Sequence, residues 1–239
     1  MSTLPASFGG LFSASPLLWL AATIGAYALG GWIQRACKGA AWANPVLIAI
    51  VLVGLLVVLT GTSYARYFSG AQLLNLLLGP ATIALAVPLA RNFPLMRQNA
   101  RGIGLALAAG SLIAILSSMV IVRILGGSQG LALSMAPKSA TTPIAMAVSA
   151  NIGGLPALTA ALAILGGIIA AVAGQGLLHR LKITDWQIHG LAAGVAGSGI
   201  AAAQVASRDD RAAAFAALGI GLNGLLTACL VPLVIALWP

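Results

Sequence analysis

Apolar residues in this chain come in long blocks separated by short polar stretches. They show neither the alternation of a half-buried strand nor the one-sided stripe of a soluble helix. Eight blocks can be traced, at residues 16–34, 45–60, 71–90, 102–125, 131–151, 156–178, 186–207 and 212–238. A transmembrane helix needs about 20 apolar residues, so the chain has room for roughly seven to nine segments, crossing or re-entrant, joined by short loops. The expected fold is an all-α polytopic membrane protein with interrupted helices. It is expected to form one membrane domain over residues 1–239, with no separate soluble domain.

Three blocks combine helix breakers with polar residues. The third has Gly79-Pro80 in its middle and Pro88 near its end, and is followed by Arg91 and Asn92. The fifth has Pro137 and Pro143 among Lys138, Ser139, Thr141 and Thr142, and closes on Gly153-Gly154. The seventh carries Gly194, Gly197, Ser198 and Gly199, with Gln204 as its one large polar side chain. Broken helices are tolerated at membrane depth only where protein or a water-filled cavity satisfies the freed backbone groups. In transporters such segments build the substrate site.

Composition narrows the classes further. The chain is 60% hydrophobic and only 6% charged, with a mean hydropathy of +1.05, whereas a soluble domain carries about 25% charged residues. The net charge is +9, but the basic residues are scattered in ones and twos between apolar blocks. That is the mark of membrane topology and not of a nucleic-acid surface. Asp185, Asp209 and Asp210 are the only acids, too few for a catalytic carboxylate pair or a carboxylate metal cage. No cofactor, metal or enzymatic activity is expected. His179 and His189 flank a basic loop and are expected at the membrane interface. Trp19 and Trp32 are expected in aromatic belts, and Cys37 and Cys229 in buried packing. No positive charge precedes the first block, since the first is Arg35. That block therefore reads as a retained helix and not as a cleaved signal.

Topology has two readings. If all eight blocks cross, with the N-terminus outside, Arg35, Lys38, Arg91, Arg97, Arg101, Arg208 and Arg211 lie inside and five basic residues lie outside. If the fifth and seventh blocks are re-entrant, Arg180 and Lys182 also move inside. Only Arg66, Arg123 and Lys138 then remain outside, which fits the charge rule better. An offset of 120 residues pairs Gly79 with Gly199, Arg91 with Arg211 and Gly104 with Gly224. This is either a two-fold repeat with halves 1–120 and 121–239 or chance in a chain rich in Ala, Gly and Leu.

The breakers define the candidate chemistry. Pro is favoured at the first position of a helix and Thr before it, so a helix is expected to begin near Thr142 inside the membrane. Its unpaired N–H groups and positive dipole end suit an anion. Ser139, Thr141 and Thr142 add hydroxyls, and Lys138 adds a charge. The bland alternative is a Pro kink with Thr bonded back to the helix. Gly79-Pro80-Ala81-Thr82 repeats the logic, against small-residue packing as the alternative. Gly197-Ser198-Gly199 is either the start of a half-helix running to about Ala206 or a packing face.

Residues 78–89, followed by Arg91-Asn92, resemble the signature of the LrgB/CidB family. So do residues 137–146 with Ile152-Gly153-Gly154, and Gly221-Leu222-Asn223-Gly224 with Pro232. The resemblance covers nearly the whole chain. It implies a multi-pass bacterial inner-membrane protein, encoded beside a small LrgA/CidA-type membrane protein in many cases. The family was first described as antiholin-like, modulating murein hydrolases and lysis. Its relatives include carriers of small carboxylates such as pyruvate, and the plant plastidal glycolate/glycerate translocator. Family members commonly have Glu where this chain has Ala147, and a His-x-Ile-Gly-Thr-Ala stretch where this chain reads Ser198 to Ala203. The expected function is secondary transport of a small organic anion through Lys138, Ser139, Thr141, Thr142, Pro143, Gly79, Pro80, Thr82, Asn92, Ser198 and Gln204. The alternative is antiholin-like regulation through a membrane partner. The expected surroundings are the lipid bilayer, with no nucleic acid, and small-residue faces compatible with a homodimer.

Overall fold

The structure, a computed structural model, describes residues 16–38, 40, 43–84, 87, 90 and 93–238. Among these residues there are ten helices and no strand. They are α1 (Pro16–Ala36), α2 (Pro45–Thr60), α3 (Tyr64–Ala84), α4 (Phe93–Gln98), α5 (Ala100–Ile124), α6 (Gln129–Met135), α7 (Thr142–Asn151), α8 (Pro156–Arg180), α9 (Trp186–Ala206) and α10 (Asp210–Ala236). By length and composition α1, α5, α8, α9 and α10 can each cross a bilayer, and α2 is a shorter apolar helix. The protein is an all-α polytopic membrane protein.

Local chemistry sets the helix ends. Asn44 caps α2 by accepting from the N–H groups of Val46 and Leu47 at 2.9 and 3.3 Å. Pro45 fills the first helical position, and Gly61 at φ 62° closes the helix. Asp185 caps α9 and Asp209 caps α10 in the same way. With Asp210 in the first turn of α10, every acid in the chain sits at a helix N-terminus, where the dipole favours it.

The chain forms two compact units, Met1–Leu85 and Ala86–Pro239. In the first, α1 packs on α2 where a Cβ at Gly30 would meet the Pro45 carbonyl at 2.8 Å. It packs on α3 where Gly70 lies against the backbone of Pro16. Trp19 is buried edge-on against Tyr67, with ring centroids 5.6 Å apart. It is thus a packing residue and not part of an aromatic belt, while Trp32 is exposed. Helix α3 starts at Tyr64, earlier than the apolar block, because Tyr64, Tyr67 and Phe68 form an aromatic cluster on its first turns.

The second unit holds two helical hairpins between long helices. Helices α5 and α10 run in the same direction, since Ile103 and Leu107 cluster with Phe215 and Leu218, and Ile115 and Met119 with Val231. The first hairpin is α6, a turn at 136–141, and α7. Its helices have 7 and 10 residues, or roughly 10 and 15 Å, too short to cross. Its two arms return to one level at Thr159 of α8. The Thr159 Oγ1 lies 2.7 Å from Ser149 Oγ and 3.0 Å from the Ser134 carbonyl. The Leu155 N–H donates to Ser134 Oγ at 2.8 Å. Gly154 fits there because a Cβ would overlap Ser149 Oγ.

The second hairpin lies within α9, whose helix is broken at Ser198 (φ 49°, ψ −138°). Before the break, Gly190 abuts Ala212 and Gly194 abuts Ala216 and Gly219 of α10. Residue numbers rise together across this pair, so the first arm of α9 and α10 are parallel. The chain must therefore return between Ser198 and Asp209, and it does so as the helical arm 199–206. A Cβ at Gly197 would stand 2.5 Å from Ala201 Cβ, a separation only a reversal produces. Both broken segments of this unit double back as helical hairpins, entering from opposite ends of the unit. Cys229, expected in buried packing, is exposed on α10, and Cys37 is half-buried.

Candidate functional site

The two hairpin tips meet around Asn223 of α10, which is fully buried. Its Nδ2 donates to the Ser139 carbonyl in the first tip at 2.9 Å and to the Val195 carbonyl near the second at 3.3 Å. Ser111 Oγ of α5 donates to its Oδ1 at 2.6 Å. Carbonyls only accept and the hydroxyl here donates, so the amide's orientation is forced. Asn223 and Ser111 lie midway along their long helices, which puts the tips at half-depth.

Ser139 is buried, and its Oγ has no hydrogen-bond partner. The same holds for Thr227 Oγ1, one turn beyond Asn223. An unpaired buried hydroxyl costs about 1–3 kcal/mol, which a bound polar group would recover. Helix α7 begins at Thr142, as its Pro143 suggests, but Thr141 is the cap residue and makes no side-chain capping bond. Its hydroxyl is not consumed by the backbone, and the N–H groups of Thr142 and Ile144 have no partner within the helix, Pro143 having none and Ala145 donating to the Thr141 carbonyl. A Cβ at Gly224 would meet Ile144 Cδ1 at 2.9 Å, so that first turn lies beside Asn223. Lys138 and Thr142 are half-buried, and Pro143 is exposed. The three acids all sit at the N-termini of α9 and α10, away from the tips.

The structure therefore brings together Lys138, Ser139, Thr141, Thr142 and Pro143 on one hairpin. Ser198 is the tip of the other. The packing and half-helix readings of Gly197-Ser198-Gly199 both apply, since a Cβ at Gly197 would also stand 2.7 Å from Ala170 Cβ of α8. Gln204 is buried on the returning arm and faces a different space. Gly79, Pro80 and Thr82 belong to α3 in the first unit. The Thr82 side chain and Asn92 lie outside the described residues. Asn223, Ser111 and Thr227 are not among the residues that the sequence pattern marks as site residues. Asn223 in the Gly221–Gly224 run was the available signal.

A second feature is a cavity of about 310 Å³ between α8 and the two arms of α9. Ala193, Ala196, Ala201, Gly174 and Gln204 line it, with His189. His189, expected at the interface, is buried to 1% exposure. Its Nε2 pairs with the Ile183 carbonyl at 2.8 Å, and its ring contacts Trp186 and His179. A carbonyl only accepts, so the proton is on Nε2. The Nδ1 is left buried without a partner.

The family that matches this chain is the LrgB-like family, over residues 23–237. The chain belongs to the LrgB-like family. It is 35% identical over 196 residues to the uncharacterized protein YwbG of Bacillus subtilis (strain 168), covering 82% of this chain and 87% of that protein. It is 27% identical over 220 residues to the antiholin-like protein LrgB of Bacillus cereus (strain B4264), covering 92% of this chain and 95% of that protein. The same figures hold for the antiholin-like protein LrgB of Bacillus anthracis (strain CDC 684 / NRRL 3495). No solved structure matches the chain.

Proposed function

We propose that this LrgB-like membrane protein is a secondary carrier of small organic anions, with monocarboxylates such as pyruvate, glycolate or glycerate as the class. The observation that carries the reading is the pair of re-entrant hairpins, entering from opposite ends and meeting at half-depth beside the unpartnered Ser139 hydroxyl. Irregular backbone at that depth is stable where it lines a cavity, and opposed broken helices suit alternating access. In this reading the first-turn N–H groups of α7 and the hydroxyls of Ser139, Thr141 and Thr142 hold the carboxylate. Lys138 draws it in, and no acid at that level repels it. The membrane is the bacterial inner membrane, and a homodimer is compatible with the small-residue faces.

The test is uptake of labelled pyruvate, lactate, glycolate and glycerate into liposomes holding the purified protein. Uptake of at least one is expected. Thr142→Ala with Lys138→Gln should lower it about tenfold or more, since charge-assisted contacts are worth about 1.5–3 kcal/mol each. Absence of uptake for all four would sink the carrier reading.

A second reading is antiholin-like control of murein hydrolases through a small LrgA/CidA-type membrane partner. The names of the Bacillus cereus and Bacillus anthracis relatives favour it, and the comparisons support it better than they support transport. A lysis phenotype that survives Thr142→Ala with Lys138→Ala would select it.

A further inference from the structure

We propose that Asn223 is the positioning residue that couples the two hairpins, so that only one tip withdraws at a time. One planar amide divides its two N–H groups between the Ser139 and Val195 carbonyls, at 2.9 and 3.3 Å. Ser111 pins its oxygen at 2.6 Å. When one tip leaves, the amide turns fully to the other carbonyl and holds it harder. Withdrawal of both would leave two N–H groups unpaired in a fully buried site. Both acceptors are backbone atoms, so the link senses where each tip is and not which side chain it carries. The inference rests on the carrier reading, because alternating access without a leak needs such a link.

The test uses the full chain with Cys37→Ser and Cys229→Ser, and single or paired Ser139→Cys and Ser198→Cys. These changes keep the carbonyls that Asn223 holds. The thiol reaction rate at each tip is measured with the other tip free or blocked by a bulky maleimide. Blocking one tip is expected to slow the other about fivefold or more, the lower range of an allosteric coupling. Asn223→Asp keeps the shape and the Ser111 contact but has no N–H, and a protonated carboxyl offers at most one O–H, too few to serve both carbonyls. In it the two rates become independent. Ser111→Ala keeps both donors but frees the amide, and lowers the factor partway. Tips that react independently in the parent overturn the proposal. So does an unchanged factor in folded Asn223→Asp, even with a lowered melting temperature, which would make Asn223 merely structural. If Asn223→Asp is not recovered folded, an unchanged factor in Ser111→Ala overturns it. Uptake is not the readout, so coupled tips in a chain that carries no anion would fail the carrier reading and leave this one standing.

Discussion

Ser198 holds φ 49° and ψ −138°, where an L side chain crowds its own backbone at a cost of roughly 1–3 kcal/mol. The second hairpin needs that geometry to reverse a helix at one residue. The glycine before it is committed elsewhere, because Gly197 lies against Ala170 and Ala201. The strain thus falls on a serine, although a glycine would fit without cost. Ser198→Gly is expected to raise stability by about 1 kcal/mol, the relief of strain less the added freedom of the unfolded chain. Ser198→Val should lower it by more than that, since a β-branched side chain tolerates positive φ worst. Thermal unfolding in detergent reads both, and equal midpoints for the three proteins would contradict a strained tip. A strained polar residue at the tip of a hairpin also marks the Ser198 hydroxyl as one to test in the uptake assay.

At the scale of elements, the contact between α9 and α10 depends on glycine. A Cβ at Gly194 would overlap the Ala216 carbonyl and stand 3.0 Å from Gly219 Cα and the Ile220 nitrogen. Those are backbone atoms that cannot move aside as a flexible side chain would. Gly194→Ala is therefore expected to cost about 2 kcal/mol or more. Gly221→Ala, in open space on the same helix pair, should be near neutral. Unfolding in a denaturing detergent series compares the two, and equal shifts would refute the close approach. These elements also show what the chain's pattern reveals and what it hides. Helix α2 was legible to the residue, because a cap, a first-position proline and a terminal glycine bracket it. The break before α7 was legible from Pro137 and Pro143. The reversal at Ser198 was not, because glycines beside a serine look the same whether they pack a straight helix or permit a turn. The direction of α10 relative to α9 decides between them, and that is a tertiary fact. The burial of His189 and the role of Asn223 are hidden for the same reason, since single polar residues in apolar blocks do not announce their partners.

At the scale of the molecule, the reversal in α9 fixes which loops share a face. In the second unit Arg101, Arg180, Lys182, Arg208 and Arg211 mark one end and Arg123 the other. The charge rule assigns the basic end to the cytoplasm. The α8–α9 loop and the α9–α10 loop then both lie inside, and the α5–α6 loop lies outside. A crossing α9 would instead put its two loops on opposite faces. Cysteines at Lys182, Ser207 and Ser128, in a chain with Cys37→Ser and Cys229→Ser, separate the cases with an impermeant maleimide on intact cells. Ser128→Cys is expected to label directly, and Lys182→Cys and Ser207→Cys only after permeabilisation. Labelling of Ser207→Cys in intact cells while Lys182→Cys stays protected would mean that α9 crosses. The second hairpin would then be lost, and with it the convergence of tips on Asn223. Reversal of all three results would overturn only the orientation, because the hairpins follow from which elements run parallel and not from which side of the membrane they face.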